Sequence, residues 1–229
     1  MLEADADFKL PDMEYREVAG ITFSQKRNNV VFDESYLKDI KTKSASEMDE
    51  ATKRDLILAA ITLKYTQSNS VGYAKNGQMI GVGAGQQSRV DCVKLAGRKV
   101  AVWYLRQHPK VQALAFKPNS KRQERVNARV RYIEGDMDRA ELASFNEMFE
   151  VPPEPLTEAE KTEFLHTLKG VSLASDAFFP FRDSIDHATK LGVEFITQPG
   201  GSTRDCDVIE ACNEYGITMS FSNLRLFHH

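Results

Sequence analysis

Cysteine is scarce in this chain. Only Cys92, Cys206 and Cys212 occur in 229 residues, and none forms a CxxC pair. A disulfide framework is therefore excluded, and a reducing compartment, the cytoplasm, is the expected location. Long apolar runs are also lacking. No run reaches the roughly 18 apolar residues of a membrane-spanning helix. Residues 1–5 (MLEAD) have neither the basic start nor the apolar stretch of a secretory signal, so none is expected. The formal net charge is only -3, too small for a general attraction to nucleic acid; an anionic ligand would need local arginines.

Several catalytic signatures are missing as well. A zinc deaminase needs His-x-Glu and Pro-Cys-x-x-Cys. Here His108 precedes Pro109-Lys110, His166 precedes Thr167-Leu168 and His187 precedes Ala188-Thr189, and no Pro-Cys-x-x-Cys occurs, so zinc is not expected. No Gly-x-Ser-x-Gly elbow is present. The Gly-rich stretch 81–89 (GVGAGQQSR) is neither GxGxxG nor a P-loop.

What remains is an ordinary globular composition, 41% hydrophobic and 28% charged, in a chain long enough to bury a core. Residues 8–32 read as an extended strap with little helix. A capping box at 44–47 (SASE) opens a helix that runs to about Tyr65. Asn76-Gly77 between two β-prone runs, 70–74 and 78–82, marks a hairpin. A long helix follows over 87–107, stopped by His108-Pro109. The basic run 117–131 and the acidic run 134–150 read as solvated helix faces and loops. Residues 151–155 (VPPEP) form a stiff linker, and Thr157 with Glu160 caps another helix. From Val171 onward strands (171–174, 193–197, 217–220) alternate with helices (182–191, 205–215), ended by Gly192 and Gly216. That alternation predicts an α/β layer with parallel pairs.

Four stretches are candidates for chemistry. In 64–71 (KYTQSNSV), an extended backbone would put the Thr66, Ser68 and Ser70 hydroxyls on one face and the Gln67 and Asn69 amides on the other. The hydroxyls suit a hard cation; a polar edge strand is the alternative. The alternating glycines of 81–85 would let a ligand approach the amino end of the following helix, or serve a tight turn between packed elements. In 175–183 (SDAFFPFRD), three phenylalanines occupy a strand-to-helix turn, where α/β proteins place ligands. Their rings offer stacking area and Asp183 an acceptor, unless the rings are simply core. In the tail, 222–229 (SNLRLFHH), a docked Arg225 would clamp a phosphate; a frayed end is the alternative.

At these same stretches the chain resembles the AICAR transformylase domain of the bifunctional AICAR transformylase/IMP cyclohydrolase family. The resemblance rests on 24–29 (SQKRNN), 64–77, 83–89, 175–183 and 223–229, in the family's order. It spans nearly the whole chain, more loosely over 110–150, and the closing RLFHH looks like the family's carboxy terminus. It implies a fold: a three-layer α/β cytidine-deaminase-like subdomain with a mixed sheet over 44–229, preceded by an extended strap and connection over 1–43. It also implies a reaction, formyl transfer from 10-formyltetrahydrofolate to AICAR in purine biosynthesis, in an intertwined homodimer with active sites at the interface. By resemblance Asn69, Arg89, Phe178 and Arg225 would contact AICAR, with Arg225 at the phosphate. Val90, Asp183, Ser202 and Thr203 would contact folate, Asp183 toward the pterin. Thr66, Ser68, Ser70 and Asp176 look like part of a potassium site. One departure stands out. The family's catalytic Lys-His pair has no counterpart, since no Lys-His dipeptide occurs. The expectation is a formyltransferase part, completed by an amino-terminal part or partner chain and inactive alone. The alternative is a non-catalytic folate- or nucleotide-binding module.

Overall fold

The computed structural model describes residues 3, 5, 7–43 and 46–227. Ser44 and Ala45, half of the capping box expected at 44–47, and the terminal His228-His229 lie outside the described residues. The chain divides into two compact units, 1–32 and 33–229.

In the first unit, the run expected to be extended folds back on itself. Strand β1 (Met13–Val18) pairs antiparallel with β2 (Ile21–Lys26). Ala19 and Gly20 turn between them, both at positive φ, the geometry of a two-residue hairpin. No Asn-Gly or Asp-Gly announced that turn, which is why the sequence reading missed it.

The second unit is α/β. Helix α1 (Glu50–Lys64) is followed by β3 (Val71–Lys75), β4 (Gln78–Gly83) and α2 (Arg89–Leu105). Four helices come next: α3 (Pro109–Gln112), α4 (Arg122–Glu134), α5 (Arg139–Asn146) and α6 (Glu158–Leu165). The alternating part closes the chain with β5 (Val171–Ser175), α7 (Asp183–Ala188), β6 (Val193–Gln198), α8 (Asp205–Glu214) and β7 (Thr218–Phe221). The five-stranded sheet has the order β4-β3-β5-β6-β7. It is mixed: β3 runs antiparallel to β4 and β5, whereas β5, β6 and β7 are parallel.

Local chemistry sets the boundaries. Asn76 and Gly77 take positive φ and close the β3–β4 hairpin as expected. Helix α1 starts later than expected, at Glu50, because the Asp49 carboxylate accepts the Thr52 N–H at 2.7 Å. Ser88 caps α2, and Thr157 with Glu160 caps α6 as the sequence predicts. Gly192 at φ +68° closes the helical stretch after α7.

The two faces of the sheet differ. Register places Gly72, Ala74, Ser172, Ala174 and Thr197 on one face. Helix α1 covers that face with a buried stripe of Leu56, Ala59, Ala60 and Leu63. The other face carries Val71, Tyr73, Leu173, Ile196 and Met219, which join Val93, Ala96, Ile185 and Val208 in the main core. Here α2 lies against β4. A Cβ on Gly81 would stand 2.5 Å from the Ala96 carbonyl, and one on Gly83 2.1 Å from the Cys92 carbonyl. These two glycines serve close helix-to-strand packing, the second of the two readings offered for the Gly-rich run. Beyond β7, Lys41 donates to Met219 O and Phe221 to Asp39 O, so residues 39–42 cover the sheet edge.

The basic and acidic runs, read as solvated faces, fall largely on α4 and α5. Their charges are mostly outward, but the helices also bury Tyr132, Ile133 and Phe145 in a separate core with Leu105, Val111 and Phe149. Charge density masked that stripe.

Candidate functional site

The carboxyl ends of the parallel strands and the loop before β3 meet at one end of the sheet. A cleft of about 500 Å³ opens there. One wall is the turn after β5. Phe179 anchors it, 0% exposed in the main core, while Phe178 and Phe181 stand 42% and 52% exposed. Phe178, Pro180 and Phe181 line the cleft. An aromatic exposed beside a buried anchor presents a ring to whatever enters. Asp183, at the start of α7, also lines the cleft. Its neighbour Arg182 instead pairs with Asp186 at 3.1 Å and Glu214 at 2.7 Å, tying α7 to α8.

The opposite wall is the tail. Ser222 N donates to Gln198 O at 2.8 Å, and Leu226 N donates to Asp176 O at 2.9 Å. Leu226 is buried. The tail is therefore docked rather than frayed through residue 227. Arg225 remains exposed, its guanidinium 4.4 Å from the Phe227 ring centroid, and both side chains line the cleft.

The floor is polar and buried. Arg89, in the first turn of α2, forms an ion pair through Nη1 with Asp176, which is fully buried. The same Nη1 donates to Ser70 O at 2.8 Å, and Nη2 donates to Asn69 Oδ1 at 3.0 Å. Asn69 Nδ2 donates to Gln86 O at 2.9 Å, fixing which end of that amide faces Arg89. Asp176 Oδ2 accepts from Ser68 Oγ at 2.6 Å, Ser70 N at 3.0 Å and Ser70 Oγ at 2.9 Å. A charge pair so deep persists because hydrogen bonds satisfy its remaining atoms. Arg89 Nε is the exception, buried with no partner among the described residues. Beneath this floor Cys92 donates to Asn69 O, and burial pushes its thiol pKa up, so it is a packed group and not a nucleophile.

Six of the sequence-predicted contacts, Asn69, Arg89, Val90, Phe178, Asp183 and Arg225, line this one cleft. Ser202 and Thr203 do not line it; they lie in the loop before α8, where Ser202 Oγ accepts from Arg204 N at 3.1 Å. That loop reaches the aromatic wall through Arg204, 5.4 Å from the Phe181 ring centroid. Of the four residues read as an ion site, Ser68, Ser70 and Asp176 converge. Thr66 stands apart, its hydroxyl donating to Thr62 O at 2.7 Å. Residues 66–70 do not form a strand, so the alternating face expected of an extended run is not what joins the serines. Their common partner, Asp176, does so.

Sequence reasoning passed over Gln198, which accepts the Phe179 N–H through its side chain at 3.0 Å. A lone glutamine in a β-strand carries no signal. Phe227 was quoted only as part of the tail.

The cleft combines two guanidinium groups, outward aromatic rings and one carboxylate. The amino end of α2 adds its own preference for negative charge. The chemistry of such a set suits a flat heterocycle bearing an anionic group. Among the described residues lining it, no histidine, lysine or cysteine is present to act as base or nucleophile. Nor do the described residues contain a cluster of three or more His, Cys, Asp or Glu side chains able to hold a metal ion. No helix among them is long and apolar enough to cross a membrane.

Fold and cleft together define a class: a mixed-sheet α/β protein with an aromatic- and arginine-lined ligand cleft at the carboxyl ends of its parallel strands. Comparison with known proteins narrows it. The family model of the AICARFT/IMPCHase bienzyme matches residues 1–99. The "Bifunctional purine biosynthesis protein PurH" of Aquifex aeolicus is 33% identical over 214 residues, covering 93% of this chain and 29% of that protein. The protein of the same name from Magnetococcus marinus is 34% identical over 217 residues, covering 95% of this chain and 30% of its own length. The chain belongs to the AICAR transformylase/IMP cyclohydrolase family. It spans about three tenths of the length of the curated relatives it matches.

Proposed function

We propose that this chain is the carboxy-terminal part of a formyltransferase that moves a formyl group from 10-formyltetrahydrofolate to the amine of AICAR. One observation carries the reading: six residues expected from the sequence and its family resemblance, scattered from 69 to 225, line a single cleft. In this reading residues 44–229 are a cytidine-deaminase-like subdomain and residues 1–43 an extended strap and connection.

The roles are those the resemblance implies, and the chemistry of each side chain suits them. Arg225, exposed at the cleft rim, takes the ribotide phosphate through its planar fork. Phe178 stacks on the imidazole, and Asn69 and Arg89 hydrogen-bond its substituents. Val90 and Asp183 contact folate, Asp183 toward the pterin, with Ser202 and Thr203 reached through the adjoining loop. Ser68, Ser70 and Asp176 offer the hard oxygens that suit potassium, which would supply fixed positive charge beneath the site and no reacting group; Thr66, whose hydroxyl donates to Thr62 O, would have to turn to join them. Formyl transfer needs a proton removed from a weakly nucleophilic amine and charge stabilised at the formyl oxygen. Among the described residues lining the cleft no lysine or histidine is present for these tasks, which fits a Lys-His pair contributed by an amino-terminal part or a homodimer partner.

The test is reconstitution. The chain alone should not formylate AICAR; adding the amino-terminal part of a family member should restore turnover. Formylation by the chain alone would overturn the reading. Tight binding of both ligands with no turnover after addition would favour a non-catalytic folate- or nucleotide-binding module.

A further inference from the structure

Gln198 ends β6 and is 1% exposed. Its Oε1 accepts the Phe179 N–H at 3.0 Å. Only the oxygen can accept there, so Nε2 is left facing Met219 Sδ at 3.5 Å, a weak partner. Its backbone carbonyl accepts the Ser222 N–H at 2.8 Å. Phe221 is its neighbour in register on β7. One residue thus bonds to both walls of the cleft: the aromatic turn through its side chain, and the tail through its main chain.

This arrangement is a poor way to stabilise a core. Burying a glutamine costs rotamer freedom and amide solvation, and here one strong side-chain bond is returned. What the bond does is local. Phe179 lies just beyond the end of β5, where the sheet ladder offers its N–H no partner, and a buried N–H needs one. Supplying that acceptor fixes the peptide between Phe178, whose ring faces the cleft, and Phe179, whose ring is locked in the core.

We infer that Gln198 is a positioning residue for the ligand cleft, setting the Phe178 wall through its side-chain oxygen. The inference deepens the reading of the cleft as the AICAR pocket and rests on it for its functional consequence. Because the tail is held by a backbone carbonyl that any substitution retains, the side chain governs one wall and not the other.

Hydrogen exchange followed by mass spectrometry tests this on the 229-residue chain. Gln198→Met keeps the length and removes the acceptor; Gln198→Glu keeps an oxygen. Losing one buried hydrogen bond should speed exchange across 178–181 roughly tenfold in the Met variant, with 222–227 within about twofold of wild type. The Glu variant should return 178–181 toward the wild-type rate. In the enzyme reconstituted with the amino-terminal part, the Met variant should raise KM for AICAR about tenfold and leave kcat within about twofold. Equal acceleration in both walls and in β5–β7, or none at 178–181, would overturn the assignment and leave Gln198 a packing residue. If reconstitution yields no formylation at all, the functional reading fails, while the exchange data still decide whether Gln198 sets the wall.

Discussion

Asp176→Ala should be among the most damaging single substitutions in this chain. The carboxylate is fully buried, and its ion-pair partner Arg89 is 6% exposed. Deleting it strands a guanidinium in the interior and removes the acceptor for the Ser68 hydroxyl and for the Ser70 N–H and hydroxyl. Breaking a buried pair from one side costs about 3–5 kcal/mol. For a chain of this length that is a fall in Tm of roughly 6–20 °C. Urea unfolding followed by far-ultraviolet circular dichroism should show the midpoint falling with the slope unchanged. The control is Arg89→Met with Asp176→Leu, which leaves no stranded charge and should recover most of the loss. With Asp176→Leu and Arg89→Met each made singly as well, wild type and these three variants form a cycle that isolates the pair. Arg89 also lines the cleft, so its guanidinium has a route to water. A loss below about 1 kcal/mol for Asp176→Ala would mean that it takes that route, and the argument for a locked floor would be refuted.

Four further outcomes are expected. Gly83→Ala forces a Cβ within 2.1 Å of the Cys92 carbonyl; displacing α2 should cost about 1–3 kcal/mol by chemical denaturation and weaken any binding that depends on Arg89. Phe179→Ala should cost about 3–5 kcal/mol because the ring is wholly buried. Phe178→Ala, removing a ring already 42% exposed, should lower stability far less and instead abolish ligand binding measured by calorimetry. Glu160 is held at a pKa of about 2, below its ordinary 4.5, first by Lys110 and then by the Thr157 N–H. A depressed carboxylate contributes stability that is complete above 4.5 and lost as pH falls toward 2. The difference in urea midpoint between wild type and Glu160→Gln should therefore be constant above about pH 5.5 and vanish near pH 2; a difference that grows on acidification would contradict the assignment.

Much of the fold was legible because it is written in local chemistry. Asn76-Gly77, Thr157 with Glu160, Gly192 and Gly216 act within a few residues of themselves, and each marks a boundary the structure keeps. The misses have equally physical causes. The Ala19-Gly20 hairpin lacks the usual turn pair. The start of α1 was decided between competing caps, and Asp49 won. The stripe carrying Tyr132, Ile133 and Phe145 hid among charges that point the other way.

The amino-acid sequence by itself determined the alternation of strands and helices, the aromatic turn and, through the absence of a Lys-His dipeptide, the expectation that reacting groups come from another segment. Only the tertiary structure decided that Phe179 is the anchor while Phe178 and Phe181 face the cleft, that Gly81 and Gly83 serve helix packing, and that Asp176 joins Ser68, Ser70 and Arg89. The reason is range. Caps and turns are settled by neighbours along the chain, whereas Asp176 lies 108 residues from Ser68 and 87 from Arg89, and only the register of the sheet brings them together.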